Sequence, residues 1–528
     1  MAKTLRLGPY LGINNRLPES ALQIATQQVQ GSYLRDALNV EIDNAHRLRR
    51  RLGETLIQAL TAPHSLFMVD DENGYVVVDS ILYSITLPTY SQTLVKILTS
   101  NDAMSYLFDG DDLFFSNGTD SGRITDGDVY PLGLPTPDSP ELAGIGGSLL
   151  DGKYQVAVSY SNSVTGEEGG VSPFSVIALT LGGIRVTLPG ETPGVTHVNV
   201  YLSDPDGEIR KLATTVATGT ATVDLTTEAT GRDASIRIEE PLPAGRLFMA
   251  NGRLCSHAGD KVYVGLPYRY GYYLPAEGYI PFNGDVSNAI SCQGGTYIVA
   301  DQTFWFPGDL GNVENIVQTV LPYGGVPGTA FAFTDKSVVG WFGTKGIVFG
   351  ATSGEVQAVM TENIDLTAPA SGFSVILDSN GYDRVISCGW CVNLENKAST
   401  RTDWALTSAS GSYGTAADGI YSLAGGSSPA WAIDFGKIDF GTEQLKYLPT
   451  AYLGLISDDT VTLRVETPTQ GQYDYVSRSY DSTLQIHRID VGKGLRANWF
   501  NLSLLSDTGV DFALASISFT PAASTRRI

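Results

Sequence analysis

Basic charge is in short supply in this chain relative to acidic charge. Lys and Arg number 34 against 56 Asp and Glu, a formal net charge of −22. A surface of that sign repels phosphate, which excludes a generic nucleic-acid wrapper. Cysteine is also scarce: Cys255, Cys292, Cys388 and Cys391 are too few for a disulfide scaffold in 528 residues, so reduced thiols are expected. No run approaches the ~18 apolar residues of a membrane span. The opening Met1-Ala-Lys-Thr-Leu-Arg-Leu-Gly-Pro9 lacks the apolar stretch of a signal peptide. The expectation is a protein without a membrane span, made and folded in a cytoplasm.

Catalytic groupings are equally thin. His46, His64, His197, His257 and His487 are scattered and match no metal-ligand spacing. Gly147-Ser-Leu-Leu-Asp-Gly-Lys153 has the skeleton of a phosphate loop, but Tyr154 follows where Ser or Thr must ligate magnesium, and a strand follows where a helix is needed. Cys388-Gly-Trp-Cys391 has redox-pair spacing, yet Val385-Ile-Ser before it and Val392-Asn-Leu after it place it in or beside strands, where residues three apart face opposite ways. Asp70-Asp71 and Asp111-Asp112 could bind calcium, but each falls in a turn where Asp is expected anyway. No catalytic residue, metal site or cofactor is assigned, and a non-enzymatic protein is expected.

What the chain does have is turns: 58 Gly and 25 Pro among 42% hydrophobic residues. At this length two to four domains are expected. Short apolar runs flank Asp-, Asn- and Gly-rich turns at Leu66 to Val78, Tyr106 to Phe115, Leu247 to Cys255, Thr296 to Phe306, Ala332 to Phe342 and Phe373 to Tyr382. Asn-Gly and Asp-Gly accept the positive φ of tight hairpins. Repeated hairpins of this kind predict an all-β protein with β-propeller blades, for which about 40 residues per blade is usual.

The repeat is broken by alternating segments with sandwich spacing, including Asp151 to Tyr160, Ile184 to Leu188 and His197 to Tyr201. The predicted organisation is therefore a Pro/Gly-interrupted N-terminal arm over 1–55, with a short helix over Ser20 to Gln30, and first blades over 56–148. An immunoglobulin- or fibronectin type III-like sandwich is inserted over 149–240, remaining blades occupy 241–397, a Gly/Ser-rich linker spans 398–430, and a C-terminal β-rich domain or closing sheet covers 431–528.

Two clusters stand out as binding candidates. Arg47-Leu-Arg-Arg-Arg51, with Arg35 upstream, is the one concentrated basic site. Arg35, Arg47, Arg49, Arg50 and Arg51 could fork onto acidic groups of a partner; a solvated strand face and contact with DNA phosphates are the other readings. Tyr268, Arg269, Tyr270, Tyr272 and Tyr273 could form an inter-subunit contact or a sugar-stacking surface.

The stretch Leu34-Arg-Asp-Ala-Leu-Asn-Val-Glu-Ile-Asp-Asn-Ala-His-Arg-Leu-Arg-Arg-Arg-Leu-Gly53 resembles the opening of bacteriophage tail nozzle proteins, also called tail tubular protein B or packaged-DNA stabilisation protein. Tyr106 to Thr119, Asp126-Gly127 and Pro131-Leu-Gly-Leu-Pro-Thr-Pro137 resemble a passage of the same family, as do the insert opening at Asp151 and the segment Pro243 to Leu254. The resemblance implies a structural virion protein that assembles in the host cytoplasm as a hexameric homo-oligomer. It implies a ring below the portal-adaptor (head-to-tail connector) that retains packaged DNA, passes the duplex transiently and meets a tail fibre, spike or plug protein. Ser503 to Ile528 also looks like long-tailed relatives, so the tail type stays open. A host-adhesion or glycan-binding tail protein, or a polysaccharide-degrading enzyme, is the alternative.

Overall fold

The computed structural model describes residues 4–25, 30–235, 237–312, 314, 316–333, 337–379 and 381–523. These residues are almost wholly β, and the single helical element among them is a 3-10 turn at Glu19–Ala21. The chain divides into two compact units. The first comprises Met1–Asp79, Tyr83–Thr93 and Tyr323–Ile528; the second comprises Ser80–Leu82 and Leu94–Pro322.

Six four-stranded sheets recur among the described residues; in four of them the strands follow one another along the chain, and in the other two the last strand is not consecutive with the rest. These are the blades of a β-propeller fold, which here carries additional β domains. In the second unit, Ser105–Asp109, Asp112–Ser116, Ser121–Thr125 and Asp128–Tyr130 form one blade, and Asn288–Cys292, Gly295–Val299, Thr303–Pro307 and Gln318–Leu321 form another. The turns that close them follow from local sequence. Asp126 and Gly127 take φ of 52° and 85°, and Asn251 and Gly252 take 48° and 70°, the left-handed pairs that a two-residue hairpin requires.

The inserted domain of the second unit is a sandwich. Glu141–Leu149, Gly182–Thr187 and Thr222–Leu225 form one sheet; Glu167–Val171, Gly152–Asn162, His197–Ser203 and Arg210–Ala217 form the other, with Ser175–Leu179 also paired to Gly152–Asn162. Alternate residues of these strands, Tyr154, Val156, Val158, Ile184, Val186, Val198, Val200 and Leu202, point inward into one core. The first strand begins at Glu141, eight residues before the boundary expected from the turn pattern.

The N-terminal residues of the first unit differ from expectation. In place of an arm over 1–55, strands Leu5–Leu7, Tyr10–Ile13, Gln30–Leu34, Asp36–Leu38, Val40–Ile42 and Leu48–Arg50 are woven into its sheets. Asp36–Leu38 sits between Ser399–Arg401 and Trp431–Ile438 in a nine-stranded sheet. Leu48–Arg50 sits between Val40–Ile42 and Phe512–Phe519 in the facing sheet. Tyr10, Leu34, Val40, Ile42 and Leu48 are at most 2% exposed and share one core with Leu453, Leu463, Leu504, Leu514 and Phe519. Each such side chain contributes on the order of 1.5–3 kcal/mol of burial. The Pro and Gly residues that suggested an arm mark turns between very short strands. The helix expected over Ser20 to Gln30 is replaced by the 3-10 turn and the strand Gln23–Ala25, and residues 26–29 lie outside the described residues.

The linker expected over 398–430 is structured as well. Leu406–Ser410, Tyr413–Ala416 and Gly419–Ser422 form a blade whose fourth strand, Thr55–Ala59, comes from far earlier in the chain. Small residues that suggested flexibility instead permit close strand approach: a Cβ at Gly419 would stand 2.2 Å from the Gln58 carbonyl oxygen.

Candidate docking site

The basic run lies on one hairpin of the first unit. Val40–Ile42 pairs with Leu48–Arg50, placing Val40 opposite Arg50 and Glu41 opposite Arg49. Strand alternation sends Leu48 into the core and leaves its neighbours at the surface. Asp43 closes the turn: Oδ1 accepts the amides of Ala45 at 3.0 Å and Arg47 at 2.9 Å, and Oδ2 accepts Nε of Arg47 at 2.9 Å and of Arg49 at 3.0 Å. Burial pushes this carboxyl up, but the Arg47 amide and the Arg49 and Arg47 guanidinium groups outweigh it and hold Asp43 below the usual carboxylate range.

The five arginines have separate tasks. Arg51 is 3% exposed. Its Nε donates to Asn39 Oδ1 at 2.8 Å, Nη1 to the Leu52 carbonyl at 2.9 Å and Glu54 Oε2 at 2.7 Å, and Nη2 to Asp403 Oδ1 at 2.9 Å. It also lies 4.8 Å from the Trp404 ring centroid. Arg51 therefore ties the N-terminal strands to the segment after Arg401. Arg35 Nη1 donates to the Asn15 carbonyl at 2.7 Å.

Arg49 and Arg50 differ in lining a cavity of about 140 Å³ with Ser457, Asp458, Asp511 and Phe512. Arg50 Nη1 donates to the Gly509 carbonyl at 2.7 Å, while its Nε stands 3.6 Å from Asp511 Oδ1 and has no hydrogen-bond partner among the described residues. Ser457 is 1% exposed and its Oγ is likewise without a partner there.

The aromatic segment of the second unit does not form one exposed platform. Arg269–Tyr273 is an inner strand, paired with Glu240–Pro241 on one side and Gly265–Leu266 on the other. Tyr272 and Tyr273 are consequently buried. Tyr272 Oη accepts the Leu134 amide at 2.8 Å, Tyr273 packs edge-on against Tyr263, and Tyr270 packs edge-on against Phe114. Arg269 pairs with Glu239 at 2.7 Å, donates to the Glu168 carbonyl at 2.7 Å and lies over the Tyr272 ring. Tyr268 alone projects, at 85% exposure. A cavity of about 440 Å³ lies in this unit, lined by Arg253, Glu277, Tyr279, Phe306, Leu310 and Asn312 among others.

The remaining sequence candidates resolve locally. Gly147 to Lys153 turns from Glu141–Leu149 into Gly152–Asn162, and no helix follows. Cys388 sits in a hairpin turn, and burial pushes its thiol up to about 11; Cys391 is buried in the next strand and its thiol is also pushed up. Among the described residues, none of Cys255, Cys292, Cys388 and Cys391 is joined in a disulfide. Asp70 Oδ1 accepts the amides of Glu72 and Asn73 within its own turn. Among the described residues no group of three His, Cys, Asp or Glu side chains is placed to hold a metal ion, and no helix is long and apolar enough to cross a membrane. Arg526 and Arg527 lie outside the described residues.

Two ionic groups, one buried and one half-buried, carried no sequence signal. Glu41 pairs with Arg384 at 2.7 Å and accepts the Tyr382 hydroxyl at 2.9 Å. Glu168 accepts hydrogen bonds from Ser159, Asn199, Tyr201 and Arg232. A carboxylate and its arginine distant in sequence leave no spacing to read.

No family model matches the chain, and no curated protein matches it. Among solved structures, the chain is similar to one in the crystal structure of the Mitotic Checkpoint Complex, with 10% identity, a TM-score of 0.35, and coverage of 76% of this chain and 99% of that one. It is also similar to the WD40 β-propeller domain of Doa1, with 10% identity, a TM-score of 0.25, and coverage of 63% and 93%. A third similarity is to an exo-β-1,3-galactanase from Phanerochaete chrysosporium, with 10% identity, a TM-score of 0.22, and coverage of 89% and 100%. Likenesses this remote say nothing of activity. The class of the protein, an all-β propeller with additional β domains, follows from its own sheets.

Proposed function

We propose that this chain is a non-catalytic structural protein of a bacteriophage tail, a subunit of a homo-oligomeric, hexameric ring below the portal-adaptor that retains packaged DNA and forms its exit channel. The observation that carries the reading is the ordered set of nozzle-like segments along the chain, Leu34 to Gly53, Tyr106 to Pro137 and Pro243 to Leu254. An excess of carboxylates suits a channel wall, because it withholds the phosphate contacts by which DNA would be retained while sliding. Docking to the neighbouring subunit or the ring above falls to the exposed members of the arginine cluster. Gold labelling of virions with an antibody to this chain tests the proposal: label at the distal tail is expected, and label absent from tails overturns it.

A second reading, binding of host glycans, is favoured by the exposed Tyr268 and by the cavity whose wall includes the 43%-exposed Tyr279. A glycan array probed with the full chain separates the two, since a ring subunit without adhesive function gives no saccharide-dependent signal.

A further inference from the structure

We infer that Asn283 is a site of spontaneous covalent modification, its side-chain amide converting through a cyclic imide to aspartate and isoaspartate. Asparagine followed by glycine is where this reaction meets least hindrance, because the attacking nitrogen belongs to a residue with no Cβ. Five such pairs occur: Asn73-Gly74, Asn117-Gly118, Asn251-Gly252, Asn283-Gly284 and Asn380-Gly381. Asn380 lies outside the described residues, and the fold separates the other four.

Three of the four are locked. Asn73 Nδ2 donates to the two Asp70 carboxylate oxygens at 3.2 and 3.0 Å, its Oδ1 accepts the Thr86 hydroxyl at 3.4 Å, and it opens the strand Asn73–Val78. Asn117 Oδ1 accepts the amides of Thr119 at 3.0 Å and Asp120 at 2.6 Å, and the Gly118 amide donates to Ser116 Oγ at 3.4 Å. Asn251 is fixed at φ 48° in a hairpin that Ala250 and Arg253 close, and the Gly252 carbonyl accepts the Tyr268 amide at 2.9 Å. Ring closure needs rotation about the asparagine Cα–C bond until the next nitrogen reaches Cγ, and a closed two-residue hairpin resists that rotation.

Asn283 is under none of these constraints. It is exposed, in the connection between the strands Tyr279–Pro281 and Asn288–Cys292. Neither its side chain nor the Gly284 amide has a hydrogen-bond partner among the described residues. The connection is fixed on either side, since the Phe282 amide donates to the Asp260 carbonyl at 2.8 Å and the Val286 amide to the Gly259 carbonyl at 2.8 Å. Asn283, Gly284 and Asp285 form the span between those two points.

The Gly284 nitrogen bonds to Asn283 Cγ and gives up its proton, and the Cγ–Nδ2 bond breaks with release of ammonia. Water then opens the ring. Attack at Cγ restores the peptide with aspartate at 283, and attack at the main-chain carbonyl carbon leaves the chain running through the side chain as isoaspartate. One ammonia leaves, one water enters, and one negative charge is gained. The new carboxylate stands next to Asp285 and close to Asp301, whose Cβ would lie 3.4 Å from a Cβ at Gly284, so the product adds charge to an already acidic turn. Isoaspartate also lengthens the backbone that leads into Asn288–Cys292.

Peptide mapping by mass spectrometry tests this, on the full chain aged at mildly alkaline pH in heavy-oxygen water. Peptides spanning Asn283 should take up one labelled oxygen and yield isoaspartate faster than peptides spanning Asn73, Asn117 or Asn251. Gly284→Ala should slow the conversion at least about ten-fold, because the added methyl hinders the attacking nitrogen. That variant suits the fold: Gly284 has no positive φ, and the 3.4 Å approach to Asp301 is ordinary contact. In urea, where the locks on the other three are released, the four rates should converge. Conversion at Asn73, Asn117 or Asn251 that equals or outpaces Asn283 in the folded chain would overturn the inference, as would an unchanged rate in Gly284→Ala. An order of rates that persists in urea would do the same, since the fold would then not set it. Thermal melting checks that the variant is folded, and the comparison of native with urea-unfolded wild type decides if it is not.

Discussion

Glu41 and Arg384 meet at 2.7 Å with side chains 3% and 1% exposed, joining the N-terminal strand Val40–Ile42 to the strand Tyr382–Ser387 in the interior of the first unit. The Tyr382 hydroxyl takes the second Glu41 oxygen at 2.9 Å, and the Arg384 guanidinium lies 5.4 Å from the Tyr382 ring centroid. Ions so far from water are tolerated only as a pair, so the relationship makes the first residues of the chain a condition for folding the later ones.

Replacing one partner should therefore be worse than replacing both. Arg384→Met or Glu41→Gln is expected to lower unfolding free energy by about 3–5 kcal/mol, and the Glu41→Leu/Arg384→Met double variant by clearly less, because the single variants leave a buried group uncompensated. Urea denaturation of the full chain measures all three. Equal losses in the single and double variants would show that the pair is not coupled.

Removing residues 1–59 should abolish folding of the first unit. The deletion strips Thr55–Ala59 from its blade and Tyr10, Leu34, Val40, Ile42 and Leu48 from the core. Expression of the truncated chain followed by limited proteolysis is expected to show rapid degradation after residue 323, where the intact chain resists. A protease-resistant truncated chain would restore the view of these residues as an arm ordered only on assembly.

Arginines four residues apart should respond differently. Arg51→Met should cost about 2–4 kcal/mol through the buried hydrogen bonds it breaks. Arg47→Gln, with its side chain 33% exposed, should cost about 1 kcal/mol or less. Melting temperatures of the two variants check the ranking.

Asp43 should steepen acid denaturation. Its pKa in the folded chain is below the ordinary carboxylate value, so its stabilisation is complete above that ordinary value and is lost as pH falls through the folded one. Glu167 acts with the opposite sign: burial, the largest effect, raises its pKa, so its contribution is present at low pH and is lost as pH rises through the raised value. Asp43→Asn should flatten the loss of stability with falling pH below the ordinary carboxylate range, measured by denaturant unfolding at a series of pH values. An unchanged slope would remove Asp43 from the acid limb.

In the second unit, Tyr272→Phe should cost about 1 kcal/mol by orphaning the Leu134 amide, whereas Tyr268→Ala should leave stability within about 0.5 kcal/mol. Calorimetry of both variants tests whether the aromatic segment divides into a buried structural part and one projecting ring.

The blades and the sandwich were legible in the sequence because their signals are local. Asp126-Gly127 and Asn251-Gly252 carry positive φ within hairpins a few residues long, and Tyr154, Val156 and Val158 alternate on one strand. The arginine cluster was equally visible as a concentration of charge, but its division of labour was not. Whether Arg51 is a buried tie or a free anchor depends on Asn39, Glu54 and Asp403 converging on it, and the character of Arg49 and Arg50 depends on Ser457 and Asp511 arriving from the far end of the chain. The Gly- and Pro-rich segments before residue 55 and after residue 398 read as an arm and a linker because strands of three to five residues are too short to show alternation. Their sheet partners are distant in sequence, and only pairing across the fold satisfies their backbone groups and buries their side chains.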